Sequence, residues 1–572
     1  MSGKRKSEAF SAAANHWRKK KVQRIQEGDD IGATRVQQKV QDQEKEEQEK
    51  EEQEEGRGDG KGDGEETGIS YASPIKLLYN PSYPEQDLLR VNKDTVRFAE
   101  LVGSPDLEET FQFNFSVDLP FFLTFLDPSF ITKRKKIVFI TGSRLLDPDD
   151  FEETEQIKSH FNISEVIAHL PTRFGCHHTK MMVNFFSNDT VEIVIMSCNI
   201  TRLDLGGLTQ MIWRSGRLMK GNTESLDTNS LNFRTGFLDY LYKYKKAQVD
   251  ELARRLAMYN FSGIDVELVA SAPGEYNLND DIAYGYGSLM KALARNDLLL
   301  DNSEGGGEDG EGGEGGEGGE GGERIHYNLL AQVSSISYPF STEKWKTAGI
   351  FSHLLCPMVF SKNKKFTLLS PGKDSILEHQ KQHNYTPHII FPTVDEVAAS
   401  TVGFASGGAI HFDYTKSFVH ENYFNQAVKP YLRKWNSSHG ELVTGREQVM
   451  PHVKIYMCDN GDEWKSIKWC YMGSHNLSKQ AWGSKKSYKF IDNNPDHYEV
   501  NSYELGVLIT PKRGTSLVPC YLQDQTTPKK RCTFIRCPFK LPPVSYSRYD
   551  LPWSLHVGYG NKKDSKGLIY NI

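Results

Sequence analysis

The chain has 572 residues, 38% of them hydrophobic and 11% aromatic, with a formal net charge of -6. That length suggests two to four domains, and the apolar content suffices for a sizeable core. It has neither an apolar run of about 18 residues nor a secretory leader, so neither a membrane-spanning nor a secreted protein is expected. The eight cysteines form no Cys-x-x-Cys pair, which predicts free thiols in a reducing, intracellular compartment.

Residues 1–67 are rich in Lys, Glu, Gln and Gly and poor in core formers, which predicts a disordered tail. Two basic clusters, Lys4–Lys6 and Arg18–Lys21, stand at the spacing of a bipartite nuclear import signal, so a nuclear protein is expected. An acidic run follows, with thirteen acids against four bases in residues 42–66. Residues 301–323 form a Gly-Gly-Glu insert in which glycine gives freedom and like charges repel, so a flexible linker or loop is expected. The insert divides the remainder into two parts, 68–300 and 324–572. With the acidic segments set aside, the rest is mildly basic, which weakly favours a polyanionic substrate.

In the first part, Lys136–Thr141, Glu165–Leu170, Lys180–Phe186 and Val191–Ser197 are β-rich runs, and Phe237–Tyr259 has helical spacing. In the second, Lys365–Leu369, Val453–Met457, Trp469–Gly473 and Tyr503–Ile509 read as strands. Strands interspersed with helices in each part predict an α/β protein of two α-β-α sandwich domains.

An internal repeat carries the chemistry. His178-Thr-Lys180 is followed by a β run and then by Ser197-Cys-Asn199. His452-Val-Lys454 is followed by a β run and then by Ser474-His-Asn476. The His-to-Asn separations are 21 and 24 residues. On a strand, residues i and i+2 face one side, so each His and its Lys point together. If the second run pairs beside the first, the Asn reaches the same sheet end. Two such sets facing each other place two imidazoles and four fixed donors around one phosphate. One histidine can attack phosphorus while the other moves protons. The lysines and asparagines can hold the non-bridging oxygens. One His-x-Lys alone is usually incidental, and Ser-x-Asn before a helix is often only a cap; duplication in order and spacing sets this pair apart. His177 alternates to the opposite face and is expected to be a packed or exposed histidine. No His/Cys cluster has metal-ligand spacing, so neither metal nor cofactor is expected.

These half-motifs resemble the phospholipase D superfamily, whose signature is His-x-Lys-x4-Asp. Phe185 stands where the first copy would have Asp. Asp459 matches in the second, but the Asn460-Gly461 turn beside it suggests a loop. Phe174–Met182, Thr209–Trp213, Met450–Met457, Asn476–Gly483 and Ser502–Leu508 resemble, in order, the tyrosyl-DNA phosphodiesterase branch. The resemblance covers about 74–560. It implies two similar phospholipase D-type domains related by a pseudo-twofold axis, and a metal-independent DNA-repair enzyme that removes a topoisomerase I tyrosyl peptide, or another block, from a DNA 3′ end. It further implies His178 as nucleophile, His452 as general acid and base, and Lys180, Lys454, Asn199 and Asn476 as phosphate ligands. Gln210 and Glu504 would orient the histidines. Phe174 would stack a base, with Ser334, Ser335, Ser337, Ser478 and Lys479 along single-stranded or duplex DNA. Phe115 and Trp553 would line the peptide side. A general nuclease or a lipid phosphodiesterase of the same superfamily is the alternative reading. Because the duplication is internal, a monomer is expected to hold a complete site.

Overall fold

The computed structural model describes residues 70–145, 151–221, 228–301, 324–337, 359–362, 376–485, 497–522 and 531–572. The basic clusters, both acidic segments apart from Asp301, and the strand expected at Lys365–Leu369 lie outside the described residues. The body from Gly68 to Ile572 is one compact unit.

Two large mixed sheets organise it among the described residues. Their central strands are buried along their whole length and mostly apolar. Met181–Phe186, Thr190–Met196 and Glu504–Ile509 are buried at every position, as expected of strands covered on both faces. Helices supply the cover. Ala247–Leu256 buries Val249, Leu252, Ala253 and Leu256, and Tyr286–Arg295 buries Tyr286, Leu289, Ala292 and Leu293, each a one-sided stripe at helical spacing. One apolar core runs through both sheets, and a smaller one covers the far face of the first. The single helix expected over Phe237–Tyr259 is two, Thr228–Tyr242 and Ala247–Leu256. They are separated by a turn in which Lys245 takes φ 51°.

The duplication is visible in the strand pairing. In the first sheet Leu107–Phe113 runs parallel to Lys136–Thr141 and antiparallel to Met181–Phe186, which pairs in turn with Thr190–Met196 and, beyond it, Met211–Arg214. In the second, Tyr327–Gln332 runs parallel to Tyr385–Ile390 and antiparallel to Ile455–Asp459, which pairs with Ile467–Gly473 and, beyond it, Glu504–Ile509. The strand senses match at every step.

Two expectations need correction. Strand Glu267–Ser271 lies before the boundary drawn at 300, yet it pairs with Glu504–Ile509 and belongs to the second sheet. Leu300 also bridges to Ser361. By strand pairing, residues 267–271 therefore go with the second sheet, ahead of the boundary expected at 300. Asp459 ends a strand instead of lying in a loop. It is buried, and its carboxylate accepts from the Asn328 backbone and side-chain amides at 2.6 and 2.7 Å.

The halves are tied across their seam. The buried Arg446 guanidinium donates to Val91 O, Leu78 O and Asn92 Oδ1 at 2.7, 2.9 and 3.0 Å. The backbone of His452 donates to Thr209 O at 3.0 Å, and that of His178 to Tyr503 O at 2.9 Å.

Candidate active site

In each half the His-x-Lys pair enters a central strand, and the Asn leaves its hairpin partner. Lys180 precedes Met181–Phe186 and Lys454 precedes Ile455–Asp459. Asn199 and Asn476 follow Thr190–Met196 and Ile467–Gly473. Gln210 and Glu504 occupy the same topological place, the entry to the third strand of each set. All six His, Lys and Asn residues therefore come to equivalent strand ends, and the seam joins those ends.

The histidines are held across the seam, each by the opposite half. His178 Nδ1 lies 2.8 Å from Glu504 Oε2 and 2.9 Å from Ser474 O. Both partners are acceptors, so Nδ1 carries the proton and Nε2 keeps its lone pair. His452 Nδ1 lies 2.7 Å from Asp204 Oδ1. The Gln210 amide nitrogen is 3.0 Å from the same carboxylate oxygen and 3.3 Å from His452 Nδ1. An amide N–H and an imidazole N–H cannot both donate to each other. Gln210 thus fixes Asp204, and Asp204 fixes the histidine. Gln210 is thus brought beside His452, with Asp204 between them as the acceptor both share.

Asp204 does not stand out in the sequence. It is buried, and it gathers the Asn199 backbone N–H at 3.0 Å, the Thr201 hydroxyl at 2.9 Å and Gln210 in addition to His452. These donors and the His452 ring hold its carboxyl far below the usual range against the opposing effect of burial. The only local signal was Thr201-x-x-Asp204, which reads as a helix start, and Thr201 does cap helix Arg202–Gly207.

Both lysines are fully buried, and each ammonium turns onto the carbonyl of its own histidine, Lys180 at 2.9 Å and Lys454 at 2.6 Å. Burial pushes Lys180 down to about 8. Burial and the Lys180 charge together push Lys454 well down. Burial, Lys180 and Lys454 push His178 well below the imidazole range. Burial and Lys454 bring His452 to about 3. Groups of both halves therefore sense one another's charge, as parts of one site. Burial also raises Glu504 to about 7.

The asparagines differ. Asn476 Oδ1 accepts the backbone N–H groups of Ser334 and Ser335 at 3.2 and 3.0 Å, which leaves its amide nitrogen as a donor toward the site. Asn199 Oδ1 is buried without a partner, and its amide nitrogen lies 3.5 Å from Asp204.

The remaining expected contacts divide. Phe115 is half exposed and meets the His178 ring edge-on at 5.5 Å, with Lys180 Nζ 5.6 Å above its ring. Phe174 is 56% exposed. Ser334 is buried and serves Asn476. Ser337 is half-buried, with its backbone N–H on Leu477 O. Ser478 caps a one-turn helix, Lys479–Trp482, by accepting from Ala481 N at 3.1 Å; so short a helix has little dipole to offer an anion. Burial lowers the Lys479 ammonium. Trp553 contradicts its expected place on a peptide surface. It is fully buried, donates to Gly407 O at 3.0 Å and stacks on Phe404 at 5.6 Å. A Cβ on Gly407 would stand 2.2 Å from the indole, so this glycine exists to admit the ring. His177 is buried between Asn114 O and the Tyr244 hydroxyl at 3.1 and 2.9 Å, as a packed histidine.

Two sheets of one topology, each bringing a His-Lys-Asn set to a common seam, define an α/β fold of phospholipase D type. A crystal structure of yeast tyrosyl-DNA phosphodiesterase shares this fold, with a TM-score of 0.60 over 84% of this chain and 99% of that one at 22% identity. The tyrosyl-DNA phosphodiesterase family model matches residues 74–547. The probable tyrosyl-DNA phosphodiesterase of Schizosaccharomyces pombe is 26% identical over 569 residues, covering 87% of this chain and 95% of its own length. Tyrosyl-DNA phosphodiesterase 1 of Saccharomyces cerevisiae is 24% identical, covering 82% of each. The chain belongs to the tyrosyl-DNA phosphodiesterase family, a family of phosphodiester hydrolases. Among the described residues no helix is long and apolar enough to cross a membrane, and the seven described cysteines are free.

Proposed function

We propose that the chain hydrolyses the bond between a DNA 3′-phosphate and a tyrosine, as left by a stalled topoisomerase I, and other 3′ adducts, in the nucleus and as a monomer. The observation that carries this reading is the pair of histidines, each with Nδ1 tied to a carboxylate of the opposite half and Nε2 left for chemistry.

His178 Nε2 attacks phosphorus, and the bond to the tyrosine oxygen breaks as that oxygen takes a proton from His452 Nε2. The P–N bond to His178 is the covalent intermediate. Water then attacks phosphorus, His452 accepts its proton, and His178 leaves, giving a DNA 3′-phosphate. His452 must therefore carry a proton on both nitrogens when substrate is bound. Burial and Lys454 by themselves oppose that. The phosphodiester anion offsets the lysines, and Asp204 receives Nδ1–H and stabilises the imidazolium. Lys180, Lys454 and the Asn476 amide hold the non-bridging oxygens as charge builds. Phe174 receives a terminal base, and Phe115, beside His178, borders the leaving group.

The test is turnover of a 5′-labelled oligonucleotide bearing a 3′-phosphotyrosine, in excess chelator, beside phosphatidylcholine and an unmodified oligonucleotide. Conversion of the first substrate alone to a 3′-phosphate is expected. Preference for the lipid, internal cleavage of plain DNA, or loss of activity in chelator would contradict the reading.

A further inference from the structure

The loop ahead of His178 is built from both halves of the chain. Thr172 Oγ1 donates to Asn501 Oδ1 at 3.0 Å, and Cys176 N to Ser502 Oγ at 3.1 Å. Tyr503 N donates to Cys176 O at 2.9 Å, and His178 N to Tyr503 O at 2.9 Å. Asn501 N and Ser502 N both donate to Gln480 O, at 3.2 and 3.0 Å, four residues beyond Asn476. Gly175 packs against this arm so closely that a Cβ would lie 2.0 Å from Asn501 O. The loop tip is thus held in register with both half-sites, and its placement relative to the phosphorus position is set by residues 501–503.

The tip carries Arg173 and Phe174, both exposed. The Arg173 guanidinium lies 4.7 Å from the Phe174 ring centroid. Among the described residues no carboxylate pairs with it. A cation resting on an exposed ring, clasped at a fixed distance from a phosphate-binding chamber, combines the two elements that hold single strands, a stacking face and a backbone charge.

We infer that Arg173 is a nucleic-acid contact residue: it pairs with a backbone phosphate of the strand whose end lies against Phe174, and the 501–503 arm positions it. This rests on the DNA reading above. The arginine adds what stacking alone lacks, a salt-dependent grip on the strand that is indifferent to base sequence.

The probe is a single-stranded oligonucleotide ending in a 3′-phosphate, bound by the full chain across a salt series. Arg173→Ala should reduce the slope of log affinity against log salt by about 0.7, the value of one phosphate contact on a single strand. Phe174→Ala should weaken binding about tenfold with the slope kept, because stacking releases no counterion. Arg173→Lys should keep the slope. An Arg173→Ala protein with the wild-type slope would overturn the assignment even if its affinity fell. A wild-type protein that binds the strand with no salt dependence would sink the DNA reading itself. For the arm, Gly175→Ala should raise KM for a phosphotyrosyl oligonucleotide about tenfold while moving kcat far less. An equal fall in kcat, or the same loss on a small aryl phosphodiester lacking bases, would show that the arm serves His178 placement instead.

Discussion

The two half-sites share a topology but not a carboxylate. In one, His178 leans on Glu504, which enters the third strand of the second sheet. In the other, the matching strand entry holds Gln210, an amide, and the negative charge comes from Asp204 on the helix after Asn199. The matching helix after Asn476 has Ser478 as its cap and Ala481 at the Asp204 position. Two imidazoles in equivalent places are thus made unequal by their carboxylate partners. Asp204 is ionised and heavily hydrogen-bonded, suited to stabilising an imidazolium. Glu504, raised to about 7, is a weaker anion that fixes a tautomer and leaves its histidine neutral for attack.

The difference can be broken by substitution. Removing the proposed nucleophile has the largest expected effect: His178→Ala should lower turnover of the phosphotyrosyl oligonucleotide roughly 10³- to 10⁴-fold, read in single-turnover kinetics. Asp204→Asn should cost about 10²-fold, falling mainly on steps that need the His452 imidazolium. Adding Gln210→Glu to that variant moves the carboxylate to the place Glu504 holds in the other half, and it should recover part of the loss. A double variant no faster than Asp204→Asn would show that carboxylate position, not only charge, separates the halves.

The Glu504 proton sharpens the contrast further. In the folded protein it is held up to about 7, while a free glutamate releases it near 4.5. Between those values the native state binds a proton that the unfolded chain has lost. Glu504 therefore makes stability fall as pH rises through that window, and Glu504→Gln should flatten this part of the pH–Tm curve. The same ionisation should give kcat/KM a rising limb near 7 that Glu504→Gln removes. Deprotonation of Lys180, brought down to about 8, should give the falling limb. The smallest expected change is at the seam. Arg446→Ala leaves the carbonyls of Leu78 and Val91 unpaired and should cost about 3 kcal/mol in denaturant unfolding, with the pH limbs unmoved.

The sequence made the duplicated chemistry legible because His-x-Lys and Ser-x-Asn recur in order, and the sheets repeat that order strand by strand. The buried strands were equally readable, as in Thr190–Met196, where every residue is apolar, β-branched or paired. Asp204 was not, since its local setting is that of any helix start, and its contact with His452 arises only when the halves pack. Gln210 is legible as a residue beside a histidine, but the carboxylate oxygen it shares with His452 is not, for the same reason. The boundary at 300 followed the most conspicuous change in composition, whereas strand Glu267–Ser271 had already crossed into the second sheet. Trp553 was misplaced because an aromatic near a site can line it or support it, and only the approach of Gly407 decides.

The proposed division of labour, in which His178 takes the phosphorus and His452 moves the protons, is open to a direct test. The direct measurement is to incubate a His452→Asn variant with 5′-labelled 3′-phosphotyrosyl oligonucleotide, denature it, and map the labelled protein. An adduct that is acid-labile and alkali-stable, accumulates in this variant and maps to the peptide containing His178 is predicted. An adduct on another residue, or normal turnover by His178→Ala, would contradict it.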